Sequence, residues 1–486
     1  MFCIDKDKLN TQEKILSITA FLLVVFAMLT MYFIVDVVDS SAYNKIRVLG
    51  LMGWILLFAF LSAYKFITNV CITPATILVL SMFAFSYGQI LLFGLGVDYD
   101  YFFLNQYYAS FYNNDMRVLL SGNLYAWICL CGFCLGILIS VRYKNVKNNK
   151  NSASLNLSMK KMFLALFFIS AIPYLAYNVY LAAYSLSHDY SQSLELTQPA
   201  IIRYVGVFFV PSAIGAVISC EDNRKMKAFI VFCTVINCIC SFVIGGRSFA
   251  FGLIIGLIVI LLMNKKVSWK VILPLCVGAF ILATISVSVA DYRSATDSSS
   301  FISIVIDNLL QKNVFIQFLG EAGFSGTSMV WTMRLVQSGY KTFDGLTYVG
   351  AIAGLVPSTL DIFGIGRFFE RYTQLEGLLT GIFSFNFGVG FSLVAESYLN
   401  FKWFGFVIIF LEALLFGKML NLEENAEPWR RYVAVVMMTV LLSIPRRDIV
   451  FLSNQFTLCV IFPYIFIILV RTFFYKDVHV NTCKVK

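Results

Sequence analysis

Apolar runs of about 20 residues, the length that crosses the hydrocarbon core of a bilayer, recur from one end of this 486-residue chain to the other. Ile15 to Val35, Pro74 to Gly94 and Val118 to Val141 are three of them. Folded in water, so apolar a chain would leave large patches exposed. Its residues are 59% hydrophobic and 13% charged, against roughly 25% charge in an average soluble domain, and the mean hydropathy is +0.80. A soluble enzyme, a disordered hub and a secreted disulfide module are excluded. The sequence predicts an all-α polytopic membrane protein.

About twelve transmembrane helices can be laid out. Nine fall within residues 1–289, beginning with an anchor at about Ile15 to Val35 and ending at about Val271 to Val289. Three more lie within 403–486, at about Trp403 to Leu420, Tyr432 to Ile444 and Phe451 to Val470. Between them, residues 290–402 form one long loop. Lys and Arg set the orientation, because cytoplasmic segments carry their excess. With both termini inside, inner segments hold 23 of the 37 Lys and Arg, and outer segments hold 14, seven of them in the long loop. Long loops cross whatever their charge, so the comparison is 23 against 7. The net charge of +10 is therefore a topology signal, and no nucleic-acid partner is expected.

The long loop faces outward in this layout and is too apolar to be a separate domain. From Ile302 to Phe318 apolar residues recur at three and four, the period of a helix lying on a membrane surface or on the bundle. A lid of short helices over an outward cavity is expected. Cysteines inside apolar runs, with only His188 and His479 as histidines, read as small packing groups, and no metal site is expected.

Charges near spans are costly in lipid, roughly 2.5–3.5 kcal/mol at the bilayer centre, so they face a partner, a cavity or the interface. The outward side carries Arg203, Arg247, Arg293, Arg334, Arg367, Arg371, Arg446 and Arg447, where the positive-inside pattern would deplete arginine. The planar guanidinium fork suits phosphate and pyrophosphate oxygens, which points to an anionic, lipid-borne substrate. Each residue also has a plainer reading. Arg247, in a Gly-Gly turn, could anchor to headgroups, and Arg446, Arg447 and Asp448 could form an internal ion pair. Glu396, in an apolar frame, suits a general base or a partner of an arginine. Glu321 suits a base or a helix cap, and Asn237 and Glu412 suit helix–helix contacts.

Four stretches carry a resemblance: GGRSFAFG (245–252), FLGEAGFSGTSMVWT (318–332), YKTFDGLTYVGAIAGLVP (340–357) and GVGFSLVAESYLNF (388–401). In this order, over about residues 225–450, the chain resembles the Wzy-type polymerases of O-antigen and capsule repeat units. The resemblance implies a GT-C-like helical fold in the bacterial cytoplasmic membrane with its active site facing the periplasm or exterior. It implies a glycosyltransferase that joins oligosaccharide units carried on undecaprenyl pyrophosphate, without metal or cofactor. Arg247 with Arg446 or Arg447 is then expected to hold the pyrophosphate, and Arg293 and Arg334 the second substrate. Glu396, or else Glu321, takes the acceptor proton, while Tyr348 and Tyr398 stack on sugars. A chain-length regulator and a flippase are expected partners. A lipid-linked oligosaccharide flippase and an O-antigen ligase are the rival readings. The first should show two similar halves, and none are visible.

Overall fold

The computed structural model describes residues 11–38, 41–70, 72–97, 115–141, 152–187, 199–220, 223–244, 247–262, parts of 273–288, 301–311, 313–355, 372, 375–385, 390–422 and 426–474. In chain order the α-helices are α1 (Thr11–Val38), α2 (Ala42–Thr68), α3 (Pro74–Gly94), α4 (Met116–Ser140), α5 (Ser152–Ser187), α6 (Ala200–Gly206), α7 (Phe209–Ser219), α8 (Arg224–Ile244) and α9 (Arg247–Leu262). They continue as α10 (Phe301–Gln311), α11 (Val314–Gly323), α12 (Thr327–Gln337), α13 (Leu346–Ala353), α14 (Leu378–Phe383), α15 (Leu393–Phe401), α16 (Gly405–Leu420), α17 (Pro428–Leu441), α18 (Ile449–Phe456) and α19 (Phe462–Phe474). No strand occurs among the described residues, and nine described helical stretches are long and apolar enough to cross a membrane. The all-α polytopic expectation holds. The expected eighth run forms only a shorter apolar helix, Ala250–Leu261. The expected eleventh forms the 14-residue α17, about 21 Å long at 1.5 Å per residue. Most of the expected ninth run lies outside the described residues.

The chain divides into two compact units. One contains Met1–Tyr143, Lys266–Glu423 and Leu441–Ser453, and the other Lys144–Lys265, Glu424–Val440 and Asn454–Lys486.

In the first unit a buried polar knot joins four helix ends. The Tyr64 hydroxyl donates to Asn421 Oδ1 at 2.7 Å, and the Thr73 hydroxyl donates to Tyr64 Oη at 2.9 Å. The Asn421 amide donates to Ser140 Oγ at 2.8 Å. Beside it, Lys14 Nζ donates to the carbonyls of Ile139 and Val141, orphan acceptors at the end of α4. The end of α2, the start of α3 and the ends of α4 and α16 are the termini that the charge pattern assigns to one side.

Glycine lets these helices approach closely. A Cβ at Gly323 would meet the backbone of Gly88 and Gln89, and the Gln89 amide donates to the Gly320 carbonyl at 2.9 Å. The glycines of the 318–332 stretch therefore form a helix contact of the small-residue kind found in membranes. Short helices do form in the long loop. However, α11 and α12 pack on α3 and α4, with Ser328, Thr332 and Met333 buried, so they belong to the core of the unit. The helix expected from Ile302 to Phe318 is broken after Gln311, because Asn313 starts a new helix by accepting the Ile316 N–H at 3.3 Å.

A second departure concerns Leu393–Leu420, which is apolar enough for a single 28-residue span. In a straight helix Ser397 and Gly405 would lie about 12 Å apart along the axis. Instead a Cβ on Gly405 would touch the Ser397 carbonyl. The chain reverses at Lys402, whose φ is 50° and ψ −133°, so α15 folds back on α16. Tyr125, Tyr398 and Trp403 pin the turn, with ring centroids 5.0 Å (Tyr125–Tyr398) and 5.5 Å (Tyr125–Trp403) apart.

The second unit is built on the 36-residue α5, which carries Pro173 inside it. Gly215 of α7 lies against the Phe163 ring of α5, and Phe163 meets Tyr432 at 4.6 Å between centroids. Asn237, buried in α8, accepts from the Asn178 amide at 2.7 Å, the interhelical role expected of it.

Candidate functional site

The short helix α15 is buried along almost its whole length, which is why its sequence reads as uninterrupted core apart from Glu396, Ser397 and Asn400. Ser392 caps it, accepting the Ala395 N–H at 3.1 Å and the Ser328 hydroxyl at 2.9 Å. One turn on, Glu396 has no exposed surface. Its Oε2 accepts the Ile449 N–H at 2.8 Å, while its Oε1 is buried and meets no hydrogen-bond donor. Ile449 is the first residue of α18, so Glu396 satisfies one of the orphan N–H groups that every helix leaves at its start. A carboxylate there also complements the positive end of the helix. Asp448, 4% exposed, caps the same helix by accepting the Phe451 N–H at 2.9 Å.

The residues just before this helix start are Arg446 and Arg447. Arg446 is exposed and Arg447 half-buried, with its guanidinium 5.0 Å from the centroid of the Phe451 ring, a cation–π placement. The Phe391 N–H donates to the Arg446 carbonyl at 3.4 Å. Glu396 and the Arg446–Arg447 pair, separate in the sequence, thus sit at one helix terminus.

Asn400, one turn beyond Glu396, ties α15 to α13. Its amide donates to Thr347 Oγ1 at 2.9 Å and to the Glu396 carbonyl at 2.8 Å, and its Oδ1 accepts the Gly345 N–H at 3.0 Å. This places Thr347 and Tyr348 beside Glu396. The Tyr348 ring packs on Phe401 at 5.6 Å, and its hydroxyl is buried without a partner at hydrogen-bond distance. Burial pushes that phenol well above its ordinary value, with nearby Glu412 and Glu396 adding to the effect, so it stays protonated.

The other predicted residues are more scattered. Arg334 lies half-buried on α12, its guanidinium 5.7 Å from the Trp331 ring centroid. Glu321 sits in the last turn of α11, not at the start of a following helix, so it does not cap one. Tyr398 is 4% exposed, its ring enclosed by Tyr125 and Trp403. Arg247 opens α9 in the second unit, and its side chain lies outside what the structure describes. Arg293, Arg367, Arg371 and His188 also lie outside the described residues. Among the described residues no group of His, Cys, Asp or Glu is arranged to hold a metal ion, and eight cysteines are buried and free.

Sequence reasoning missed Asn400 and Thr347. The i, i+4 spacing of Asn400 from Glu396 was a usable signal, whereas the approach of Thr347 depends on tertiary structure. Glu412, set aside as a helix contact, is 7% exposed, and neither carboxyl oxygen has a hydrogen-bond partner.

Fold and site together define a polytopic helical membrane protein with a buried acid bonded to the start of the helix that two arginines precede. Residues 15–478 match the family described as O-antigen polysaccharide polymerase Wzy. The chain belongs to that family, and the match reaches well beyond the 225–450 stretch that carried the resemblance. No curated protein matches, and no solved structure does. The chain is a multi-pass membrane protein and a glycosyltransferase-like polymerase of O-antigen repeat units, acting on lipid-linked oligosaccharide in the membrane.

Proposed function

We propose that the chain performs this polymerisation at the outer face of the bacterial cytoplasmic membrane, on undecaprenyl-pyrophosphate-linked units, with Arg446 and Arg447 on the pyrophosphate and Glu396 as general base. The observation that carries this reading is the bond from the Ile449 N–H to Glu396. It fixes one carboxyl oxygen at the start of the helix that Arg446 and Arg447 precede in the chain, and leaves the other unpaired. Glu396 is preferred to Glu321 because its own bond, from the Ile449 N–H, ties it to the helix start that Arg446 and Arg447 precede.

The acceptor hydroxyl attacks the anomeric carbon of the growing chain. Its O–H proton passes to Glu396 Oε1, and the carbon–oxygen bond to pyrophosphate breaks with its electron pair on the phosphate. Arginines that hold the departing charge more tightly than the ground state lower the barrier. Arg247 is the further candidate for the pyrophosphate, and Arg334 and Arg293 for the second substrate. Tyr348 is the remaining candidate to stack on a sugar, since the Tyr398 ring is enclosed by Tyr125 and Trp403. The chemistry proposed needs no metal, and a flippase and a chain-length regulator would work beside the enzyme.

The test is a gel of surface glycan from cells lacking the gene, complemented with wild type, Glu396→Gln or Arg447→Ala. A ladder restored by wild type and collapsed to a single capped repeat by either variant supports the reading. Surface glycan absent without the gene, with lipid-linked units stranded inside, would overturn it in favour of a flippase.

A further inference from the structure

Glu412 is the one described carboxyl in the core of this unit with no hydrogen-bond partner for either oxygen, and the mechanism above leaves it unused. It lies on α16, seven residues past Gly405 at the helix start and about 10 Å along the helix axis. α16 packs along α4, and Cys129 of α4 is within electrostatic reach of Glu412. So are Glu396 of α15 and Tyr348 of α13, while Asp448, which caps α18, is a further acid within the same reach of Glu396. Three inward polar ends, Glu396 Oε1, Tyr348 Oη and the Glu412 carboxyl, are thus buried together, and each lacks a partner of its own. Among the described residues no cation pairs with either carboxyl.

Two unpaired carboxylates in so dry a place would each bear several kcal/mol of desolvation and repel one another. Their polar ends are complementary only if a proton is present. A phenol hydroxyl can accept from one acid while donating to the other group. Only Glu396 has a backbone donor to favour its anion.

We infer that Glu412 is a second carboxyl of the site, and that Glu412 and Glu396 hold one proton between them with the Tyr348 hydroxyl as bridge. This rests on the role of Glu396 proposed above. At rest the pair carries a single negative charge, on Glu396, and Glu412 is the neutral acid. When the acceptor O–H breaks, its proton goes to Glu396 Oε1 and the pair becomes neutral. That proton returns to solvent or to the departing pyrophosphate before the next cycle. Glu412 does not touch the reacting atoms, so it is a positioning residue that sets how strongly Glu396 binds a proton. An amide in its place would donate to Tyr348 and accept no proton back. It would lock the phenol O–H onto Glu396 and weaken the base.

The test joins infrared spectroscopy to polymerisation of lipid-linked repeat units by purified full-length protein in liposomes. Wild type at neutral pH should show the C=O stretch of a protonated, deuterium-sensitive carboxyl, and Glu412→Gln should lose it. Glu412→Gln and Tyr348→Phe should each slow polymerisation about tenfold, with KM unchanged and an altered pH profile, and Glu412→Asp should restore much of the rate. Identical carboxyl bands in wild type and Glu412→Gln, or a Glu412→Gln enzyme with wild-type rate and pH profile, would overturn the inference. If Glu412→Gln does not accumulate, the wild-type band decides: its presence supports the shared proton and its absence overturns it. A wild-type protein that shows the band yet never polymerises would overturn the proposed function and leave the shared proton standing.

Discussion

Replacing Asn400 by Ala should destabilise the first unit and disturb the site together, because one buried amide makes three bonds. It donates to Thr347 and to the Glu396 carbonyl, and it accepts from the Gly345 N–H. A net hydrogen bond contributes about 0.5–1.5 kcal/mol, and interhelical side-chain bonds inside membrane proteins average near 0.6 kcal/mol. Removing all three, and leaving a buried N–H and hydroxyl orphaned, should cost about 2–4 kcal/mol. That is a fall of roughly 5–10 °C in melting temperature, read by the loss of monodisperse protein on heating in detergent. Thr347→Val removes one of the same bonds. Its cost and that of Asn400→Ala should add to more than the double variant shows, since residues sharing a bond couple by 0.5 kcal/mol or more. Polymerisation should fall as well, because Tyr348 follows Thr347 directly and loses its tether to α15. An Asn400→Ala protein that melts with wild type, or strict additivity with Thr347→Val, would refute the bond network on which the site is built.

Two further outcomes follow from packing and from charge geometry. Gly323→Leu should stop the protein accumulating in the membrane. Its side chain would start inside the backbone of Gly88 and Gln89, an overpacking beyond the 1–3 kcal/mol of ordinary cases; immunoblots of membrane fractions would show normal amounts if the contact is wrong. Arg447→Lys should keep the charge yet lose the two-pronged grip on phosphate and weaken the Phe451 contact. Polymerisation in liposomes should then drop tenfold or more, and a lysine enzyme with wild-type rate would show that only charge matters there.

Much of this architecture was legible in the sequence because lipid imposes simple rules. The runs from Pro74 to Gly94 and from Val118 to Val141 were placed almost to the residue, since length and hydropathy alone decide a span. Glu396 stood out for the same reason, as a carboxylate in an apolar frame. What the sequence hid depends on tertiary approach. The Ile449 N–H that meets Glu396 carries no signature, because every helix start offers such a donor. Nor did the stretch from Ile302 to Phe318 disclose its break, because the helical period continues past Asn313 and only the capping bond ends it. That Gly320 and Gly323 form a contact surface depends on Gly88 and Gln89 of α3, which lie far away in the sequence. Glu412 reads from the sequence as a helix contact, an ordinary role for an acid in a span, and only the structure shows that neither of its oxygens has a hydrogen-bond partner.

The reversal at Lys402 is the feature on which the site most depends, since it turns α15 back on α16 and so brings Glu396 within electrostatic reach of Glu412. A non-glycine residue at φ 50°, ψ −133° sits where backbone strain of about 1–3 kcal/mol is usual. Lysine is tolerated because the residue is exposed, in keeping with an interfacial side chain that reaches headgroups while Trp403 packs beside it. Two variants separate strain from anchoring. Lys402→Ala removes the anchor and keeps the strain, whereas Lys402→Gly removes both but adds unfolded-chain entropy worth about 0.5–1 kcal/mol. Subtracting that entropy leaves Lys402→Gly more stable than Lys402→Ala by about 1 kcal/mol, a difference of about 2–4 °C in melting temperature. A glycine variant that melts below the alanine variant would mean that the chain runs on as one straight span, and with it would go the meeting of Glu396, Tyr348 and Glu412.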